Sequence, residues 1–162
     1  MSSLRPVRSR RRPRRVVRLL PIVTVVVAMV TAACGAGSSR IEVADAVMPV
    51  PGSNDETSVY LTITNSGDRD DVLLNADTDI ASMTMLHQTV IEDNGRASME
   101  DDNVVKVDAG KTVRFVSGGR HLMLMKPKDL QPGDTFTLWL NFQHGGTVKT
   151  TVRVIDIGDL DL

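Results

Sequence analysis

The hydrophobic pattern along most of this chain repeats every second residue. In a strand, successive side chains point to opposite faces. Residues 135–142 show this clearly, with apolar residues at 136, 138, 140 and 142. No helical period of useful length occurs after residue 40, and turn-forming residues separate the short runs. The pattern predicts strands at residues 41–48, 58–64, 72–74, 83–90, 104–107, 112–116, 120–125, 135–142 and 147–155.

Eight or nine short strands without helices indicate one fold class. Strands of this length, with turns roughly every eight to twelve residues, are typical of antiparallel sandwiches and barrels. We therefore predict an all-β domain, antiparallel, with the β domain spanning residues 41–155.

Two of the predicted strands carry histidine and methionine on a single face. In residues 120–125, His121, Met123 and Met125 alternate with Leu122 and Leu124. One face is therefore plain core, and the other offers imidazole nitrogen and thioether sulfur. Thioethers select soft metal ions such as monovalent copper, and imidazole tolerates copper in either oxidation state.

The strand at residues 83–90 repeats this chemistry, with Met83, Met85 and His87 on one face. Met99 lies between the two strands along the chain. If the two faces meet near the mouth of a barrel, four side chains can surround one ion: His87, Met99, His121 and Met123.

The ordinary interpretation of these residues is packing. Methionine at alternating strand positions is more often a core residue than a ligand, and we assign Met83 to packing. Met85 and Met125 fit either an auxiliary sulfur ligand or a hydrophobic wall. Taken singly, His87 and His121 are ordinary polar residues, but together with the methionines their spacing favours a metal site.

The first 33 residues have the composition of an export signal. They contain eight arginines and no acidic residue, followed by a short apolar run that ends in small residues. Cys34, the only cysteine, comes next and resembles the lipidated first residue of a bacterial lipoprotein, although Thr31 stands where such signals have an aliphatic residue. The alternative is ordinary cleavage that leaves a free thiol. We predict a signal peptide at residues 1–33, a flexible tether at 34–40 and an acidic tail at 156–162.

Removal of the signal peptide changes the charge balance and excludes several functions. All 20 acidic residues but only 11 of the 19 basic residues lie beyond residue 33, which gives a formal charge of −9. An acidic domain is a poor match for nucleic acid or for anionic lipid surfaces. With Cys34 lipidated, no thiolate remains for a blue-copper electron-transfer site.

The chain resembles the periplasmic copper chaperone family called PCuAC. The resemblance depends on His87, on Met99 after 11 intervening residues, and on His121 and Met123 after 21 more. Gly118 and Gly119 before the second histidine agree with it. The resemblance covers approximately residues 41–155, and the combined spacing is specific, whereas a lone His-x-Met would not be.

This resemblance implies a cupredoxin-like Greek-key β-barrel that binds Cu(I) through His87, Met99, His121 and Met123. It also implies delivery of copper to the binuclear copper centre of cytochrome c oxidase. The acceptor is then subunit II of the oxidase, a thiol-disulfide protein of the Sco type, or both. We expect a monomer anchored by its lipid to the outer face of the bacterial cytoplasmic membrane.

Two other classes of function are weaker matches. A metal-free, Ig-like structural or adhesion lipoprotein would need its methionines only for packing. An enzyme is disfavoured because the sequence offers no serine-histidine-carboxylate, P-loop or His-Glu-x-x-His pattern. Zinc is disfavoured because it prefers thiolate, carboxylate or further histidine ligands.

Overall fold

Burial alternates from residue to residue along two strands of this domain, β2 (Glu56–Asn65) and β9 (Thr135–Phe142). The computed structural model describes residues 37–52 and 55–160. In β9, the four apolar side chains at 136, 138, 140 and 142 are buried and the residues between them are not. The strands are β1 Ile41–Pro49, β2 Glu56–Asn65, β3 Asp71–Thr78, β4 Met83–Ile91, β5 Ala97–Asp101, β6 Val105–Val107, β7 Thr112–Phe115, β8 Arg120–Met125, β9 Thr135–Phe142 and β10 Gly146–Ile155.

The strands hydrogen-bond in the order β5-β4-β8-β2-β1-β10-β9-β3-β6, and β7 also pairs with β2. β2 connects one half of the sheet, which contains β4, β5 and β8, to the other half. Its first residues pair with β8, and its later residues pair with β1 and β7. One core contains side chains from both halves, including Leu86 of β4 and Ala76 of β3. The predicted all-β fold is confirmed.

The strand pairs are antiparallel with one exception in the described part of the chain. β1 and β10 run parallel, with Val47 opposite Arg153 and Pro49 opposite Ile155. A hairpin forces its two strands to be antiparallel, but these are the first and last strands and the whole domain connects them. Turn-forming residues indicate the direction of consecutive strands only, so they could not indicate that β1 and β10 run parallel.

All nine predicted strands are present, and the structure adds a tenth. β5 pairs with β4 across the turn at residues 92–96. Its sequence, Ala-Ser-Met-Glu-Asp, contains none of the β-branched or aromatic residues that usually indicate a strand. This missed strand is important because it lies beside the predicted metal site.

The ordered domain begins before the predicted boundary at residue 41. The backbone N–H of Ser38 donates to the Asp68 carboxylate, and that of Asp68 donates to the carbonyl of Ser38. A Cβ on Gly67 would collide with the Ser38 carbonyl oxygen, so glycine permits this close approach. Residues 38–40 are therefore part of the domain and not of a flexible tether. The predicted signal peptide and Cys34 lie outside the described residues.

Two buried polar side chains lie where β2 ends and β3 begins. Asn65 is fully buried and makes four hydrogen bonds. Asp71 is fully buried as well. Burial alone would raise the pKa of Asp71, but hydrogen bonds from the Ser39 hydroxyl and from backbone N–H groups outweigh it and lower the pKa. Asp71 therefore stays ionised at neutral pH.

The predicted acidic tail begins with a short 3-10 helix, Ile157–Asp159, whose Ile157 side chain is exposed. In the described ranges, 37–52 and 55–160, we find no helix with the length and apolar character needed to span a membrane.

Candidate metal centre

The pairing of β4 with β8 brings the two histidine- and methionine-bearing faces together. His87 lies directly opposite His121, and Met85 lies directly opposite Met123. Directly opposed residues of an antiparallel pair share a face, with Cβ atoms about 4.5–5.5 Å apart. Met83 and Met125 form the next pair. Two imidazoles and two thioethers are thus adjacent on one surface.

The two faces of β8 differ as the alternation predicts. Leu122 and Leu124 are fully buried in the apolar core. His121 and Met123 are also buried, with exposed fractions of 4% and 5%, but they do not belong to that core cluster. Their nitrogen and sulfur atoms therefore lie on the face away from the leucines and are shielded from water.

A tight turn positions His121 and fixes which of its nitrogens is free. Gly118, with φ of 71°, lies in the left-handed region that favours glycine, as predicted for this turn. The carbonyl oxygen of Gly119 lies 3.0 Å from Nδ1 of His121 and accepts the backbone N–H of Thr89 at 3.1 Å. Because a carbonyl can only accept, Nδ1 carries the proton. Nε2 of His121 is buried without a hydrogen-bond partner.

His87 lies edge-on to His121. The ring centroids are 5.9 Å apart and the ring planes make an angle of 85°. Nε2 of His87 is 3.1 Å from Oδ1 of Asp101, although the N–H is not aligned well enough for a hydrogen bond. Nδ1 is buried without a partner. Leaving a buried polar group unpaired costs about 1–3 kcal/mol, so a packing role alone does not explain this arrangement.

Met99 lies at the rim of the site. Met99 belongs to β5 and lies opposite Thr89 of β4. It is therefore on the same face as His87 and diagonal to that residue. Diagonal neighbours lie about 7–8 Å apart, within reach of a long side chain. The Met99 side chain is 60% exposed, and Met83 is 59% exposed, whereas Met85 and Met125 are half-buried. The structure therefore brings His87, His121, Met85 and Met123 together directly and places Met99 beside them.

Two acidic residues, the last residue of β5 and the one after it, were not predicted to lie at the site. Asp101 lies opposite His87, and Asp102 forms an ion pair with Arg120 of β8. The backbone N–H of Asp102 also donates to the carbonyl of Leu86 at 2.8 Å. The two carboxylates are adjacent in the sequence, but their register with the histidines could not be predicted because β5 was not predicted.

A cleft of about 230 Å³ reaches the site from the side. Its lining includes Met85 and Asp101, together with Leu74, Thr84 and Asn103. It lies between β3 and β4, where no backbone ladder joins the two strands in the described residues. A solvent path therefore leads to the half-buried Met85 thioether.

The donor atoms of the site suit a soft ion. Among residues 37–52 and 55–160, no group of three or more His, Cys, Asp or Glu side chains is arranged to hold a metal. Two imidazoles with neighbouring thioethers match the ligand preference of Cu(I).

A family model described as "Putative lipoprotein LpqE-like" matches residues 41–154. The chain belongs to this LpqE-like family. Among curated relatives, "Putative lipoprotein Lxx21020" of Leifsonia xyli subsp. xyli is 28% identical over 123 residues, which are 75% of this chain and 74% of the relative. The membership agrees with the lipoprotein character predicted from Cys34, in that the family and this relative both carry the description "Putative lipoprotein".

Solved structures share the fold of this LpqE-like domain. The solution structure of CuI-DR1885 from Deinococcus radiodurans is 27% identical, with a TM-score of 0.55, and the match covers 75% of this chain and 78% of that one. The copper-bound PCuAC domain from PmoF2 has a TM-score of 0.58 at 18% identity, covering 72% of this chain and 92% of that one. The predicted resemblance to PCuAC domains is confirmed, and so is the fold class that it implied.

Proposed function

We propose that this protein is an extracytoplasmic chaperone that binds Cu(I) and passes it to an acceptor. The observation that carries the proposal is the register of β4 with β8, which places His87 opposite His121 and Met85 opposite Met123. Both histidines have buried ring nitrogens without hydrogen-bond partners. The similarity to the solution structure of CuI-DR1885 supports the same cargo.

The ligands that we propose are His87, Met99, His121 and Met123, with Met85 and Met125 as auxiliary sulfurs. Neutral imidazoles and thioethers bind Cu(I) without adding negative charge. Because no thiolate is present in the described site, a cysteine-rich acceptor would compete well for the ion. The exposed Met99 and the cleft beside Met85 provide sites at which an acceptor can begin to replace the ligands.

The acceptor that we propose is the binuclear copper centre of cytochrome c oxidase, reached through subunit II or through a Sco-type protein. Its soft, thiolate-rich ligands would draw Cu(I) from the thioethers of this site. The proposed role is transfer of an ion, without catalysis, by a monomer that binds no nucleic acid.

Deletion of the gene is expected to lower cytochrome c oxidase activity in cells grown at limiting copper. Added copper or the wild-type gene should restore the activity, but a gene encoding His121→Ala with Met123→Ala should not. A gene encoding His144→Ala is the matched control, because His144 is an exposed histidine outside the site. Full oxidase activity in the deletion strain at limiting copper would refute delivery to the oxidase.

Cys34 is proposed to anchor the protein by lipid to the outer face of the cytoplasmic membrane, in the periplasm or cell envelope. Its place after Ala32 and Ala33 and the lipoprotein description of the family support this proposal. We expect Cys34→Ser to move the protein from the membrane fraction to the soluble fraction. A variant that remained with the membrane after a salt wash would contradict lipid anchoring.

A further inference from the structure

Each histidine of the site has one ring nitrogen next to an oxygen acceptor and another that is buried without a partner. For His121, the acceptor is the Gly119 carbonyl, 3.0 Å from Nδ1. For His87, it is the Asp101 carboxylate, 3.1 Å from Nε2. The nitrogens that remain are Nε2 of His121 and Nδ1 of His87. The ring nitrogen without a nearby oxygen acceptor is therefore Nε2 in His121 but Nδ1 in His87.

The position of Asp101 is set by the strands around it. β5 pairs with β4 so that Asp101 lies directly opposite His87. The next residue, Asp102, is held by the carbonyl of Leu86 and by Arg120. These contacts fix the backbone of Asp101, although its side chain is 67% exposed. Nε2 of His87 and Oδ1 of Asp101 lie within hydrogen-bonding distance, although the two groups do not form a hydrogen bond in this orientation.

Histidines that bind metals commonly donate their second ring N–H to a carboxylate or a backbone carbonyl, which fixes the tautomer and the ring orientation. An ionised carboxylate can only accept a hydrogen bond, so the contact with Asp101 favours the proton on Nε2 of His87. The lone pair of His87 then lies on Nδ1. The same reasoning, with Gly119 as the acceptor, leaves the lone pair of His121 on Nε2.

We propose that Asp101 is a positioning residue that orients His87, so that copper is held by Nδ1 of His87 and by Nε2 of His121. This inference rests on the Cu(I) site proposed above and adds the ligating atom of each ring. Asp101 does not bind the ion. It holds the proton on the opposite side of the His87 ring and keeps the ring turned toward His121.

Long-range ¹H–¹⁵N NMR of the imidazoles tests the assignment, because Cu(I) is diamagnetic. Before copper is added, His87 should be protonated at Nε2 and His121 at Nδ1. One equivalent of Cu(I) should shift Nδ1 of His87 and Nε2 of His121 while those protons remain. In Asp101→Ala, the metal-free His87 ring should become a mixture of tautomers.

Cu(I) affinity provides the second readout. Asp101→Ala should weaken Cu(I) binding about 10- to 100-fold, in the range observed for groups that orient metal ligands. Asp101→Asn should recover part of the loss, because its amide oxygen can accept the same hydrogen bond. Glu100→Ala is the matched control. It removes one exposed negative charge from the adjacent position of β5, on the opposite face, and should leave the affinity unchanged.

Coordination through Nε2 of both rings would overturn the inference and leave the proposed function intact. Equal losses of affinity in Asp101→Ala and Glu100→Ala would also overturn it, because the effect would then be one of general charge. If the wild-type protein bound no Cu(I), the proposed function would fail and the inference would fail with it.

Discussion

A variant carrying His121→Ala and Met123→Ala is expected to bind Cu(I) at least about 100-fold more weakly than the wild-type protein. Loss of a group that only orients a metal ligand typically costs 10- to 100-fold, and this variant removes two ligands. Both side chains project to the face away from the core leucines, opposite His87 and Met85. The measurement is an anaerobic titration against a chromogenic Cu(I) chelator.

Two controls separate loss of ligands from loss of structure. His144→Ala removes an exposed histidine, whose ring contacts Arg69, and should bind Cu(I) like the wild type. Met123→Leu conserves the volume of a residue that is 5% exposed, so the fold should be retained while the sulfur is lost. Unchanged Cu(I) affinity in the double variant and in Met123→Leu would exclude the site.

Asn65→Asp is expected to destabilise the domain by about 3 kcal/mol or more. The Nδ2 group of Asn65 donates to the carbonyls of Arg69 at 2.7 Å and Val107 at 3.1 Å. Its Oδ1 atom accepts the backbone N–H groups of Arg40 at 3.1 Å and Gly67 at 3.0 Å. A carboxylate would place a buried negative oxygen against two carbonyl oxygens and keep only the second pair of bonds.

Urea denaturation at neutral pH measures this loss of stability. The loss should shrink at acid pH, where the introduced carboxyl group is protonated and can donate one hydrogen bond again. Asn103→Asp makes the same chemical change at an exposed position and should alter the free energy of unfolding by less than about 0.5 kcal/mol. Equal stability of the two variants would show that Asn65 does not hold together the segments that contain Arg40, Arg69 and Val107.

Much of the fold was predictable because the strands are long and alternate cleanly. The period of two located β2, β8 and β9, and the glycine pair at residues 118–119 located the turn that carries His121. β5 was missed because its sequence lacks strand-forming side chains. The parallel pairing of β1 with β10 was missed because it joins segments about a hundred residues apart, and local sequence carries no information on such pairing.

The candidate site was predictable in its residue types and only partly in its geometry. Alternation alone placed His121 with Met123 and His87 with Met85, whereas the pairing of the two strands depends on the folded sheet. Met85 is predicted only as an auxiliary sulfur, but the register places it directly opposite Met123 and leaves Met99 at the exposed rim. Asp101 was absent from the predicted site, because its proximity to His87 follows from the register of the missed strand.

X-ray absorption spectroscopy of the protein loaded with one equivalent of Cu(I) tests whether imidazole nitrogen and thioether sulfur hold the ion together. We expect an edge typical of monovalent copper and a first shell that contains both nitrogen and sulfur. In Met123→Leu, the sulfur contribution should fall while the nitrogen contribution remains. A shell of nitrogen and oxygen alone, or failure of the protein to retain copper, would contradict the proposed copper site.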